Sequence, residues 1–331
     1  MGKLVLIDGH SILNRAFYGV PELTNSEGLH TNAVYGFLNI MFKILEEEKP
    51  DHLAVAFDLK EPTFRHKMYA DYKGTRKPMP EELREQVPLM KEVLAAMGVP
   101  ILTMAGYEAD DILGTIAKRC QAEGEEVSVV SGDRDLLQLS DTHIKIRIPK
   151  TSRGTTEIHD YYPEDVKREY QVTPTEFIDV KALMGDTSDN IPGVPSIGEK
   201  TATNLIVAYG SIENAYAHLD EVKPPRAKKA LEEHYDLAVM SKELAEICIT
   251  CPIPFEYEEA KIENLYTPEA YQYMKRLEFK SILARFDVQD MGGNSVEEHF
   301  WSVEDLSGAE QIFEKAKTAE QVGCQLILSQ T

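Results

Sequence analysis

Three short apolar runs in the first half of the chain each end in carboxylates, and this limits the possible folds more than any other feature. Leu4-Val5-Leu6-Ile7 delivers Asp8, and Leu53-Ala54-Val55-Ala56-Phe57 delivers Asp58. Val127-Ser128-Val129-Val130 leads through Ser131-Gly132 to Asp133 and Asp135. Runs this short read as buried strands of a parallel sheet. Between them the period changes. Val34, Phe37, Leu38, Met41, Phe42 and Leu45 recur at the spacing of one helix face. Pro80-Glu81-Glu82 opens a further helix with proline at its first position. A strand over Val99–Met104 and a helix over Glu108–Gln121 continue the alternation. Alternating strands and helices predict a parallel α/β sheet.

From Thr173 to Phe286 the pattern turns helical, broken by Ile191-Pro192-Gly193-Val194-Pro195-Ser196-Ile197-Gly198. Met291–Ser295 reads as a linker, Glu310–Lys317 as helix and Gly323–Leu328 as a strand with no visible partner. The expected domains are therefore 1–172, 173–287 and 288–331. The unpartnered last strand makes the chain the expected N-terminal part of a longer polypeptide.

Ligands of open parallel sheets gather outside the carboxyl ends of the strands. Glu108-Ala109-Asp110-Asp111 and Asp186-Thr187-Ser188-Asp189 can converge on that edge. Each cluster alone has an ordinary explanation: acids favour the first turn of a helix, and solvated turns are rich in them. Together they would repel one another unless cations sat among them. Oxygen donors of this kind suit Mg²⁺ or Mn²⁺. Two such ions about 3.5–4 Å apart clamp the attacking and leaving oxygens of a phosphoryl displacement. No Ser-His-Asp or Cys-His arrangement and no phosphate-binding G-x-x-x-x-G-K-[ST] loop competes.

A net charge of −21 disfavours nucleic acid as a partner, but a local basic patch is all such a surface needs. Lys60, Arg65, His66, Lys67, Lys73, Arg76 and Lys77 form that patch, interleaved with Phe64, Tyr69 and Tyr72. Cations bind phosphates and rings stack on unpaired bases. The plain alternative is a solvated basic loop with buried rings. Pro192 to Ala202 has the spacing of a helix-hairpin-helix turn. Its glycines allow close backbone approach, and the following helix start, with Lys200 and Thr201, favours a phosphate. Four cysteines point to a reducing compartment. Cys248-x-x-Cys251 lacks a second pair to complete a zinc site and reads as part of a packed strand. No signal peptide or membrane span is visible, so a cytoplasmic protein is expected.

Asp8-Gly9-His10, Phe57-Asp58, Phe64-Arg65, Tyr72-Lys73-Gly74-Thr75-Arg76, Glu108-Ala109-Asp110-Asp111, Gly132-Asp133-Arg134-Asp135 and Met184-Gly185-Asp186-Thr187-Ser188-Asp189-Asn190-Ile191-Pro192-Gly193-Val194 occur in this order. With them the chain resembles, over about residues 1–287, the 5′–3′ exonuclease domain of bacterial DNA polymerase I, within the flap endonuclease superfamily. The remainder looks like the start of a 3′–5′ exonuclease-like domain. The resemblance implies a PIN-like α/β fold with a helical arch, followed by a helix-hairpin-helix subdomain. It implies that Asp8, Asp58, Glu108, Asp110, Asp111, Asp133, Asp135, Asp186 and Asp189 hold two or more Mg²⁺ or Mn²⁺ ions. Tyr72, Lys73 and Arg76 would engage substrate near the scissile phosphate, with Arg15 and Arg65 as further DNA contacts. At the hairpin, Gly193, Ile197, Gly198, Lys200 and Thr201 would touch DNA. The carbonyls of Leu183, Met184, Pro192, Val194 and Ile197 would hold K⁺. The implied partners are 5′ flaps, nicked or branched duplex DNA and RNA-primed ends, with a polymerase domain downstream in a monomeric protein.

The resemblance leaves two alternatives, a DNA-binding module without catalysis and a PIN-type ribonuclease. The complete acid set argues against the first, and the hairpin turn against the second.

Overall fold

Strand β1 (Lys3–Asp8) is apolar towards both faces, so it must be covered on both, and it takes the centre of the sheet. The computed structural model describes residues 2–152 and 155–286, together with Glu310, Phe313, Glu314 and Lys317. After β1 come α1 (Gly9–Gly19), α2 (Asn32–Glu48), β2 (His52–Ala56), α3 (Phe64–Met68) and α4 (Glu81–Ala96). Next are β3 (Ile101–Leu102), α5 (Ala109–Ala122), β4 (Glu126–Val130), β5 (Ile144–Ser152) and β6 (Thr155–Tyr161). The strand order is β3-β2-β1-β4-β5-β6. Strands β1 to β5 run parallel, and β6 pairs antiparallel with β5. Strand order therefore reverses between β1 and β4, which is where such sheets open a crevice.

The helices follow from local chemistry. Val34, Phe37, Leu38, Met41 and Phe42 of α2 are buried as the spacing predicts. Gln86 of α4 reaches the start of α2, its Oε1 accepting the N–H of Ala33 at 2.8 Å and of Val34 at 3.2 Å. Three local expectations shift. Pro80 is the N-cap of α4 and precedes its first helical residue. Strand β3 is two residues long, because Pro100 offers Val55 a carbonyl and has no N–H to give back. Ile247–Cys251 is no strand; side chains of α5 take its backbone groups instead. Thr115 bonds both Cys248 and Cys251, and Arg119 bonds the carbonyls of Cys251 and Ile253.

Beyond α6 (Pro163–Tyr170) the chain is helical. Thr173 and Glu176 form a capping box that starts α7 (Pro174–Met184). A tight loop leads to α8 (Glu199–Tyr209), then α9 (Ile212–Ala217), α10 (Pro225–Glu233), α11 (Tyr235–Ala245), α12 (Pro268–Arg276) and α13 (Lys280–Leu283). In that loop Gly185 and Gly193 lie back to back, with φ of 74° and 62°. A Cβ on Gly193 would run into the Gly185 backbone. Residues 1–286 form one compact unit and 287–331 a second. The expected linker at Met291–Ser295 and strand at Gly323–Leu328 lie outside the described residues. Within the expected helix at 310–317, Glu310, Phe313 and Glu314 are helical. Among the described residues, no helix is long and apolar enough to cross a membrane.

Candidate metal centre and nucleic-acid interface

The parallel register of β1 with β2 and β4 brings the ends of all three strands to one edge. Asp8, Asp58 and Asp133 therefore meet there, and the start of α5 adds Glu108 and Asp110. With Asp189 they line a cavity of about 1320 Å³. Asp111, Asp135 and Asp186 do not line it. The nine acids fall into groups according to what neutralises them.

Asp8, Asp58, Asp110 and Asp133 face the cavity with no Lys or Arg bonded to them among the described residues. Asp8 caps α1, accepting the Ser11 N–H at 3.0 Å, while the Ser131 hydroxyl donates to it at 2.8 Å. Burial, then the neighbouring Asp58 charge, push the Asp8 carboxyl up to about 6. Burial, Asp8 and Asp133 hold Asp110 well above the usual carboxylate range. Burial would raise Asp58 as well, but His10 and the Ala109 N–H, which donates at 2.8 Å, bring it down to about 2.

Glu108 and Asp189 also line the cavity, but the segment between β2 and α4 neutralises them. Lys73 Nζ lies 2.7 Å from Glu108 and 3.8 Å from Asp189, and Arg76 pairs with Asp189. Tyr72 OH donates to both carboxylates at 3.1 Å. The ring of Tyr72 is buried at 3% exposed and packs edge-on against His66. In this structure the ring is therefore not open to a base, and its hydroxyl orients Glu108 and Asp189.

The remaining acids point inward. Asp111 is wholly buried and forms a two-point pair with Arg65, both bonds 2.8 Å. It also accepts the N–H groups of Glu108 and Cys248 at 2.9 Å. Arg65 is 2% exposed, with its other donors on the carbonyls of Leu244 and Glu246. In this structure, then, Asp111 does not line the cavity and the Arg65 donors are engaged inside the protein. Lys181 bridges Asp135, at 2.8 Å, and Asp186. Burial and Asp133 push Asp135 up to about 7, while Lys181 and Ser188 hold Asp186 at about 2 against burial.

Arg15 lines the cavity across Gly132, and its Nε has no hydrogen-bond partner. At the hairpin, the Gly193 N–H is used internally, donating to Ser241 Oγ at 3.1 Å. Ile197 is buried, whereas Gly198 and Lys200 are exposed and Thr201 is half-exposed. Of the expected K⁺ carbonyls, Leu183 already accepts the Val194 N–H and Val194 that of Ile197. Sequence reasoning missed Ser11, His10, Ser131 and Lys181, which orient or neutralise the acids, and Lys91, which lines the cavity over the Phe57 ring. A visible signal existed for Lys181, a lone charge in the apolar run Val180–Met184 directly before an acid pair.

A carboxylate-walled cavity at the switch point of a parallel sheet, joined to a helical hairpin region, defines an α/β nuclease. The chain belongs to the 5′–3′ exonuclease family: the N-terminal resolvase-like domain matches residues 3–171, and the C-terminal SAM fold matches 172–267. It is 46% identical to DNA polymerase I of Bacillus caldotenax over 86% of this chain and 32% of that protein. It is 45% identical to DNA polymerase I of Bacillus subtilis over 92% of this chain and 34% of that protein. The chain thus spans about a third of the length of these relatives. Among solved structures, the bacteriophage T5 flap endonuclease in a pseudo-enzyme–product complex with DNA and metal ions shares the fold. Its TM-score is 0.62 at 22% identity, over 86% of this chain and 99% of that one.

Proposed function

We propose that the chain is a structure-specific 5′–3′ exonuclease and 5′-flap endonuclease that hydrolyses DNA phosphodiesters at this cavity with two divalent ions, Mg²⁺ or Mn²⁺. The observation that carries the reading is the set of four facing carboxylates, Asp8, Asp58, Asp110 and Asp133, to which no lysine or arginine is bonded among the described residues. Their hard oxygen donors, and the raised Asp8 and Asp110 carboxyls, fit a divalent cation. Among the described residues, no three acidic, His or Cys side chains are yet drawn together closely enough to ligate one ion.

Asp8, Asp58, Asp110 and Asp133 would hold the first ion, and Asp133, Asp135, Asp186 and Asp189 the second. When bound, such ions lower the pKa of water and offset charge developing on the phosphate. The protein's own groups orient and bind. Ser11 and Ser131 fix Asp8, and the α5 amide at Ala109 fixes Asp58. Arg15, which lines the cavity beside Gly132, would bind a phosphate there. Lys73 and Arg76 can exchange their carboxylates for phosphate oxygens on the same side. The exposed start of α8, with Lys200, holds duplex backbone, and K⁺ at the hairpin carbonyls would assist.

We further propose a place at the N-terminus of a cytoplasmic, monomeric DNA polymerase I; the similarity to about a third of the length of two DNA polymerase I proteins supports the polymerase context. There it would act on 5′ flaps, nicked or branched duplex and RNA-primed ends during primer removal and repair. Mapping cleavage on a 5′-flap DNA tests the reading. Cuts near the flap junction are expected with Mg²⁺ and none with EDTA. Metal-independent cutting, or preference for an all-RNA hairpin, would overturn it.

A further inference from the structure

Lys181 sits on α7 between buried neighbours, Val180, Ala182 and Leu183, and its side chain is 11% exposed. It is an expensive place for a lone charge, and the ammonium is matched there by two carboxylates from different parts of the chain. Asp135 follows β4 and Asp186 follows α7. Lys181 Nζ lies 2.8 Å from Asp135 Oδ1 and bonds Asp186 Oδ2. The second oxygen of Asp186 is occupied too, accepting the Ser188 hydroxyl at 2.6 Å and its N–H at 2.7 Å. An ion shared by Asp135 and Asp186 would need the place the ammonium holds, and would meet a like charge there. Among the described residues, the inner carboxylates Asp8, Asp58, Asp110 and Asp133 carry no bonded ammonium.

We infer that Lys181 is the built-in cation of the outer carboxylate pair, so that the second ion of the centre binds more weakly than the first and only by displacing the Lys181 ammonium. The inference rests on the metal-dependent reading of this site and deepens it. Lys181 is a positioning residue: it holds Asp135 and Asp186 together and oriented before metal arrives. It also makes loading sequential, inner carboxylates first.

Mn²⁺ titration of the 331-residue chain, followed by electron paramagnetic resonance of the free ion and by calorimetry, reads this directly. Wild type should bind one ion tightly and a second more weakly. Lys181→Met should tighten the second ion by about tenfold or more and leave the first unchanged. Lys181→Arg, which keeps the charge, should behave as wild type. An unchanged second affinity in Lys181→Met overturns the inference. Two equal ions in wild type, with flap cleavage intact, overturn it while leaving the nuclease reading standing. No Mn²⁺ bound to wild type overturns both. If Lys181→Met folds only with metal, a melting temperature that climbs with Mn²⁺ more steeply than in wild type supports the inference. Indifference to Mn²⁺ in that variant overturns it.

Discussion

Two sets of carboxylates share one edge of the sheet, and they differ in where their counter-charge comes from. Asp8, Asp58, Asp110 and Asp133 face the cavity and one another, with the Asp8 and Asp110 carboxyls displaced upward. Glu108, Asp111, Asp186 and Asp189 are held by Lys73, Arg65, Lys181 and Arg76. The number of acids is therefore a poor guide to the number of ligands. Where the chain supplies a cation, a carboxylate is a structural element first, and it becomes a ligand only if that cation moves. Where no cation is bonded to it, burial and neighbouring acids can leave the charged form unfavourable, as at Asp8 and Asp110.

The largest expected break in this comparison comes from the inner set. Asp58→Ala or Asp110→Ala should slow flap cleavage roughly a thousandfold, about 4 kcal/mol of transition-state stabilisation. Flap affinity should stay within a few-fold. Single-turnover rates and filter binding separate the two effects, and near-wild-type cleavage would remove these acids from the centre.

Next in size is Arg65→Ala, which strands Asp111 in the interior. Breaking a buried pair in this way costs about 3–5 kcal/mol of stability. The expected result is a large drop in the denaturant midpoint, with or without Mg²⁺. If Mg²⁺ restored the lost stability, Asp111 would be a metal ligand after all.

Stability against pH cuts across the two sets, because at Asp58 burial is outweighed by His10 and an amide, while at Asp135 burial outweighs Lys181. Asp8 at about 6 and Asp135 at about 7 both lie above their unfolded value of 3.8, and Asp110 is raised too. The folded protein then holds more protons than the unfolded one, so stability falls as pH rises through that window. Asp58 and Asp186, at about 2, contribute stability that is constant there and is lost only in strong acid. Denaturation in EDTA should show a weaker fold at about pH 7.5 than at about pH 5, and Mg²⁺ should flatten the difference. A fold that strengthens with pH in EDTA would contradict the raised carboxyls of Asp8, Asp110 and Asp135.

Much of the fold was legible because strand β1 and its neighbours are short, apolar and end in acids. That Asp111 turns inward was not legible, since it depends on Arg65, 46 residues away in sequence; Lys181, five residues before Asp186, was the readable case. The β5–β6 hairpin carried a readable signal: Ile144, Ile146 and Ile148 alternate with Lys145 and Arg147, and the structure buries the isoleucines. Ile247–Cys251 shows the opposite failure. Its alternation looks like a strand, but Thr115 and Arg119 of α5 take the hydrogen bonds a sheet would need. At Tyr72 and Arg65 the sequence is ambiguous, because an aromatic-basic stretch looks the same whether it faces nucleic acid or buried acids.

The smallest expected effect tests the hairpin against the cavity. Lys200 is exposed beside the start of α8, and no ion pair holds it among the described residues, unlike Lys73 and Arg76. Removing it should therefore cost binding alone. For Lys200→Ala, duplex affinity should fall about fivefold, near 1 kcal/mol, and the slope of log affinity against log salt should drop by about one. The rate of cleavage at saturating DNA should be unchanged, because no carboxylate loses its partner. The matching change at Lys73 frees Glu108 and should alter that rate as well as affinity. A salt slope identical to wild type in Lys200→Ala would take the hairpin out of the DNA surface and leave the cavity to hold substrate by itself.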